Sequence, residues 1–459
     1  MKHKDNLQLF VFFQKHGYAV ASLCLLAFGT FSYYLKIRPF ATDDLLALSF
    51  GTLRTPSSFI TGKWVEWLPA YRPLSQLSIW MQFQLVGIEP ISYYIVNILL
   101  WLGCVVILYF FVFQLTNSRL AAFLAASLML VDIRVATALI WIIERQSPLA
   151  VLCGSSAILL FLYAVSSNHI KSMSIWIYVL LLFSVLSKEY GLAYAGGLFL
   201  LSCLIYRNHW KIVSIIVLCV IITYFGLRFG IAKNSGASDF CEEQIGYRTN
   251  TLSLCYSDYD LQTRVKFYTW NVGATFVGTF FPRVFSTAGQ WNGINMTSWL
   301  DVAPDISISV IDLVFMLVTF GVVCVSFYRF PRLSLFFLAL VILNAILSYL
   351  LYRTRNHLVG LTGVYGLFGL GFYSLWQDYL RGKFWKFSLP VFISLLLTII
   401  AIKASGLSNY LEMMALSYSE TDNPCTEVFK HPYSQYFDMD VVQQLREKYE
   451  VDTECFDDE

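Results

Sequence analysis

The sequence predicts an all-α polytopic membrane protein with about eleven transmembrane helices, interfacial helices in its first outer loop and a small outer-face cap. Three observations carry this. Hydrophobic residues make up 57% of the 459 residues and charged residues only 14%, where a soluble domain carries about 25% charged residues. Apolar runs recur along the chain at the length a bilayer core requires. The connections between them alternate between short basic ones and long acidic ones, as the positive-inside rule expects of the two faces of a membrane.

The N-terminal segment carries Lys2, Lys4 and Lys15 ahead of the apolar run Tyr18–Leu35. No small-residue cleavage site follows, so this run reads as a retained anchor rather than a signal peptide. Further apolar runs lie near 92–115, 119–133, 149–166, 174–187, 190–206, 212–229, 307–328, 333–352, 358–376 and 387–404. As one helix, 174–206 would be roughly 50 Å long, against a core of about 30 Å. Its polar interruption, Ser187-Lys188-Glu189-Tyr190-Gly191, therefore predicts a tight turn between two spans. The stretch 74–86 reads as a helix lying in the interface, and 135–143 as a short amphipathic piece.

With the N-terminus inside, the inner connections carry Arg119, Lys171, Arg207, Lys211, Arg329, Arg332, Arg381, Lys383 and Lys386. The outside then holds a loop at 37–91, a loop at 230–306 and a tail at 405–459, and any chemistry belongs there. The domain reading is a membrane core over 1–229 with its first outer loop at 37–91, an outer loop at 230–306, C-terminal spans over 307–404 and the tail at 405–459. A net charge of +2 gives no basic footprint for nucleic acid. No phosphate-cradling glycine loop occurs, which argues against a nucleotide-dependent enzyme. Cys24, Cys104, Cys153, Cys203, Cys219 and Cys324 fall in spans and read as core fillers. Cys241–Cys255 and Cys425–Cys455 are the expected local disulfides of an oxidising compartment, with free thiols or cross-pairing as alternatives.

Ionisable groups at the outer boundary are costly there and mark a functional site by default. They are Asp43, Asp44, Arg72, Asp132, Arg134, Glu144, Arg145, Lys188, Glu189, Arg228, Arg353, Arg355 and His357. One explanation is internal pairing, Lys188 with an acid or Arg134 with Asp132. The other is an anionic headgroup, for which several converging cations, arginines above all, suit a phosphate. Asp43-Asp44 supplies either a general base or a helix cap near Leu45.

In chain order, several blocks resemble the GT-C superfamily of glycosyltransferases, closest to the membrane half of the tetratricopeptide-repeat O-mannosyltransferases. These blocks are Asp43-Asp44 after span one, Tyr71-Arg72-Pro73-Leu74, Tyr93 to Leu100 with Asn97, Trp141-Ile142-Ile143-Glu144-Arg145, Ser187 to Gly191, and Arg355-Asn356-His357-Leu358. A His-Pro-x-His-Thr-Glu segment and a repeat domain of those relatives are not present. The resemblance implies a GT-C-like fold and a polyprenyl-phosphate-linked sugar donor, a glycan or protein hydroxyl acceptor, and inversion on the extracytoplasmic face. It implies Asp43 or Asp44 as base, and either as ligand to a divalent cation such as Mg2+ or Mn2+. It implies Arg72, Lys188, Arg145 and Arg355 for the donor phosphate. For the sugar or acceptor it implies Glu189, Tyr71, His357 and Trp67. The expected setting is a bacterial inner membrane rather than the endoplasmic reticulum, with the C-terminus outside. A lipid-linked glycan polymerase or ligase, and a lipid or sugar flippase, are the rival functions.

Overall fold

The computed structural model describes residues 2–32, 56–61, 71–87, 89–132, 134–140, 142–231, 310–347 and 358–382, with single positions at 265, 272, 275, 396, 397, 400, 403, 404 and 407. Every regular element among them is helical. In chain order these are α1 (Lys2–Phe31), α2 (Pro56–Thr61), α3 (Pro73–Val86), α4 (Pro90–Thr116), α5 (Arg119–Leu130) and α6 (Arg134–Ile140). A 3-10 turn (Ile142–Arg145) leads into α7 (Gln146–Ser166), and α8 (Ile170–Ser187) follows. A second 3-10 turn (Glu189–Gly191) opens α9 (Leu192–Leu204), and α10 (Trp210–Phe225) runs into a π-helical segment, Gly226–Ile231. The last three are α11 (Val310–Arg329), α12 (Pro331–Leu347) and α13 (Leu358–Leu380).

Five described segments are long and apolar enough to cross a membrane: Ile91–Thr116, Ile142–Ser166, Ile170–Ser187, Arg207–Ile231 and Leu358–Leu380. Shorter apolar helices lie at His16–Phe31, Arg119–Leu130, Glu189–Leu204, Met316–Arg329 and Pro331–Leu347. The chain is thus an integral membrane protein whose described helices match the apolar runs of the sequence. Of the expected final span, 387–404, only isolated positions are described. The cysteines expected in disulfides, Cys241, Cys255, Cys425 and Cys455, lie outside the described residues. The core-filler expectation holds for the buried Cys104 but not for Cys24, Cys219 and Cys324, which are exposed on the helix surfaces.

Local chemistry sets the boundaries. Pro73 and Pro90 stand in the first turn of α3 and α4, where a missing N–H costs nothing. Asn117 closes α4 in the left-handed conformation (φ 53°), and the Ser118 side chain caps α5 by accepting from Ala121 N at 3.3 Å. The long apolar stretch breaks where the sequence requires. Lys188 is extended (φ −159°, ψ 141°), and the Gly191 N–H donates to Lys188 O at 2.8 Å. A Cβ on Gly191 would lie 2.5 Å from the Ser184 carbonyl, so only glycine lets this turn press back on α8.

Hairpins α4–α5, α7–α8 and α12–α13 pack side by side, and α13 also meets α5, α7 and α11. Helix α13 is the central one, buried along most of its length. Its glycines explain how. A Cβ on Gly363 would lie 2.5 Å from Phe337 O, and one on Gly371 would collide with the Val322 backbone. Small residues allow this approach where lipid removes the hydrophobic drive for helix association. Because neighbouring helices alternate in direction, Arg119, Lys171, Arg207, Lys211, Arg329, Arg332 and Arg381 gather at one end of the bundle. There Arg329 pairs with Asp378 at 2.9 Å. The opposite end holds the loop acids and bases described next.

The close approach of α13 predicts that Gly371→Val lowers stability by about 1–3 kcal/mol through overpacking. Gly29→Ala, with nothing within 4 Å of its added Cβ, should change it by less than about 0.5 kcal/mol. Thermal unfolding in detergent reads both; equal midpoints for the two variants contradict the packing.

Candidate functional site

Four of the sequence blocks, far apart along the chain, meet at the end of the bundle opposite the basic connections. Arg72 directly precedes α3, Asn97 lies in the second turn of α4, Glu144 and Arg145 form the turn before α7, and Lys188 and Glu189 form the turn before α9. The guanidinium of Arg72 forks onto Glu189: Nε donates to Oε2 at 2.9 Å and Nη2 to Oε1 at 3.0 Å. Its Nη1 donates to Gln146 Oε1 at 2.7 Å. The Gln146 amide donates in turn to Glu144 Oε1 at 3.1 Å. Lys188 Nζ donates to Glu144 Oε2 at 2.9 Å and to Ser147 Oγ at 2.7 Å, with the Tyr190 ring 5.0 Å away. One continuous polar chain therefore runs from Glu189 through Arg72, Gln146 and Glu144 to Lys188.

Arg145, though next to this chain, spends its guanidinium on the scaffold. Nε donates to Asn97 Oδ1 at 2.9 Å, and longer bonds of 3.4 Å reach Tyr93 O and Ser78 O. It thus pins α3 and α4 to the start of α7. Tyr71, Arg72's neighbour, donates its hydroxyl to Ile60 O at 2.9 Å, tying α2 to α3. Burial pushes the Tyr71 phenol up to about 12, so it stays a neutral donor. Burial alone would draw the Arg72 guanidinium down; the Glu189 carboxylate against it outweighs this and holds it above its ordinary value.

Burial separates the two ion pairs. The side chains of Arg72 and Glu189 are 18% and 10% exposed, those of Lys188 and Glu144 only 2% and 5%. The first is partly exposed at its arginine; the second is enclosed and is joined to the first through Gln146. Both internal pairs anticipated from the sequence are present, Lys188 with Glu144 and Arg134 with Asp132 at 2.7 Å. The Asp132 pair belongs to a second buried cluster, where Tyr365 donates to Asp132, Lys403 Nζ donates to Tyr365 Oη at 3.0 Å, and Arg134 donates to Thr275 O. Helix α13 and the segment bearing Lys403 are thereby fastened to the end of α5.

The expected base, Asp43 or Asp44, lies outside the described residues, as do Trp67, Arg355 and His357. The residues that sequence reasoning passed over are Gln146, Ser147 and Lys403. Gln146-Ser147 stands as a polar pair directly after Glu144-Arg145 and before an apolar run, a signal that could have marked it. Among the described residues no group of three or more His, Cys, Asp or Glu is placed to hold a metal ion.

No family model and no curated protein matches the chain. Among solved structures the chain is similar to an archaeal oligosaccharyltransferase, AglB from Archaeoglobus fulgidus, in complex with an inhibitory peptide and a dolichol-phosphate. The identity is 13% and the TM-score 0.49, covering 88% of this chain and 56% of that one. The chain thus spans a little over half the length of the archaeal protein.

Removing one partner of the enclosed pair leaves a buried charge uncompensated. Lys188→Met is predicted to cost about 3–5 kcal/mol. Adding Glu144→Gln removes that charge, so the double variant should lose clearly less than the two single losses summed. Strict additivity in the thermal midpoints contradicts direct pairing.

Proposed function

We propose that the protein is a GT-C-type membrane glycosyltransferase. It moves one sugar from a polyprenyl-phosphate donor to an acceptor hydroxyl on the extracytoplasmic face, with inversion. The observation that carries this is the meeting of the four blocks: Arg72, Asn97, Glu144-Arg145 and Lys188-Glu189 come from separate stretches of sequence and form one polar assembly. Ionic side chains gathered at one end of an apolar bundle suit a ligand with an apolar tail and an anionic head.

In the proposed reaction the acceptor hydroxyl attacks the anomeric carbon. Asp43 or Asp44 takes its proton as general base. The bond to the donor phosphate breaks, and the leaving polyprenyl phosphate carries the developing negative charge. Catalysis then rests on cations placed where that charge appears. Arg72 is proposed as the main contact, being more exposed than Lys188 and Arg145 and carrying a planar fork that matches phosphate oxygens. Lys188, linked to Arg72 through Glu144 and Gln146, and Arg145, which fixes the frame, are proposed to support it, and Arg355 is proposed as a further contact. Glu189, Tyr71, His357 and Trp67 are proposed to face the sugar or acceptor. Oxygen ligands suit Mg2+ or Mn2+, so a divalent cation would be held by Asp43 and Asp44, next to the donor phosphate. The acceptor is proposed to be a glycan or protein hydroxyl, such as that of a cell-surface O-antigen, in a bacterial inner membrane with the N-terminus cytoplasmic and the C-terminus outside.

With purified protein and a polyprenyl-phospho-monosaccharide, Asp43→Asn or Asp44→Asn should lower the transfer rate by about 10²–10⁴-fold. Near-normal turnover by both variants removes the base assignment. Transfer from a pyrophosphate-linked oligosaccharide, and none from the monosaccharide lipid, points instead to a polymerase or ligase.

A further inference from the structure

The cation best placed for a donor phosphate already holds an anion. Arg72 commits two of its nitrogens to the Glu189 carboxylate, the geometry a phosphate would adopt on the same fork. If the site binds a phosphate headgroup, as proposed above, Glu189 occupies its seat.

Three features make this carboxylate displaceable. Arg72 is partly exposed and Glu189 slightly so, whereas Lys188 and Glu144 are enclosed. The turn that carries it packs closely on α8, with Gly191 against the Ser184 carbonyl, so a side-chain rotation is the change of partner the packing accommodates best. Gln146 holds the third nitrogen of Arg72 from the opposite side of the assembly, keeping the guanidinium in place after the carboxylate leaves.

A second cation lies near the pair, one bond from Tyr224, whose ring neighbours that of Tyr71. This is Arg228, on the π-helical segment that ends α10; burial draws the Glu189 carboxyl up, and Arg72 above all, with Arg228 last, outweighs this and holds it below its ordinary value. Its Nη1 donates to Tyr224 Oη at 3.1 Å. The Tyr224 ring lies 6.3 Å from that of Tyr71, the neighbour of Arg72, and α2 packs against the same π segment. Such segments are frequent at functional sites. Arg228 is half-buried, 5.4 Å from the centre of the exposed Phe229 ring.

We infer that Glu189 is a displaceable internal anion: it holds the Arg72 guanidinium until a phosphate headgroup replaces it, and Arg228 then receives the released carboxylate. Arg228 is accordingly a positioning residue, acting through Glu189 rather than on the phosphate. An anionic lipid exchanges one anion for another on Arg72, whereas its neutral alcohol cannot, so occupancy is selective for the phosphorylated carrier.

The test measures binding of polyprenyl phosphate, and of the corresponding polyprenol, to the full-length protein in nanodiscs. Glu189→Gln removes the competing charge and should tighten polyprenyl phosphate binding about tenfold. Arg228→Gln should weaken it several-fold in the wild-type background and leave it unchanged in the E189Q background. Equal or weaker binding by E189Q overturns the inference. So does an R228Q loss of equal size in both backgrounds, which would make Arg228 a direct phosphate ligand. Should E189Q fail to fold, Glu189→Asp keeps the charge on a side chain one methylene shorter, which loosens its hold on Arg72, and must also bind more tightly. A wild-type protein that binds polyprenol as well as polyprenyl phosphate removes the donor reading itself, and this inference with it. Preference for the phosphate without tightening in E189Q removes the inference alone.

Discussion

The forked pair between Arg72 and Glu189 joins the first long loop to the turn between α8 and α9, and the rest of the site is arranged around that join. Without a counter-charge, Arg72 at a membrane boundary would bear the cost of an unpaired ion. With Glu189 it becomes a fixed, oriented cation on a helix end. Gln146 and Glu144 then carry the polar chain on to Lys188, and Arg145 secures the frame by fixing α3 and α4 to the start of α7. The two ion pairs of this chain share one architecture but differ in exposure, and that difference divides support from ligand contact.

The helices matter to this site as spacers. A lipid-facing bundle gains little from hydrophobic burial between its own helices, so contact quality decides where they lie. Glycines along α13 allow it into the centre against α11 and α12. Gly154 does the same for α7, where an added Cβ would strike the Tyr194 ring; the Tyr194 hydroxyl is bonded to Thr362 of α13 at 2.8 Å. Through Tyr365 and Lys403, α13 also reaches the second buried ion cluster at Asp132. The site end of the bundle is thus held by ionic contacts and its middle by small residues.

Much of this was legible in the sequence. Apolar runs located the helices because a bilayer imposes a length, and the interruption at Ser187–Gly191 located a turn because the combined run was too long to be one helix. The helix read over 74–86 is α3. The piece read over 135–143 divides into α6 and a 3-10 turn, since two charged residues, Glu144 and Arg145, draw the chain into the buried polar assembly. The residue types at the site could be read as well, but not their partners. Lys188 looks the same in sequence whether it awaits a phosphate or faces Glu144, because pairing across 44 positions depends on how helices pack. For the same reason the polar pair Gln146-Ser147 could be noticed in the sequence, but Gln146 could not be read there as the bridge between the two ion pairs. Lys403 was lost inside an apolar run, its partner Tyr365 being on another helix.

The two ends of the bundle offer rival places for an anionic headgroup, one built around Arg72 and the other bearing Arg329, Arg332 and Arg381. The most direct measurement is an experimental structure of the full-length protein in nanodiscs with polyprenyl phosphate bound. The account places the phosphorus at the Arg72 end, with an oxygen about 3 Å from that guanidinium. Density for the phosphate at the opposite end, beside Arg329 and Arg332, would contradict it.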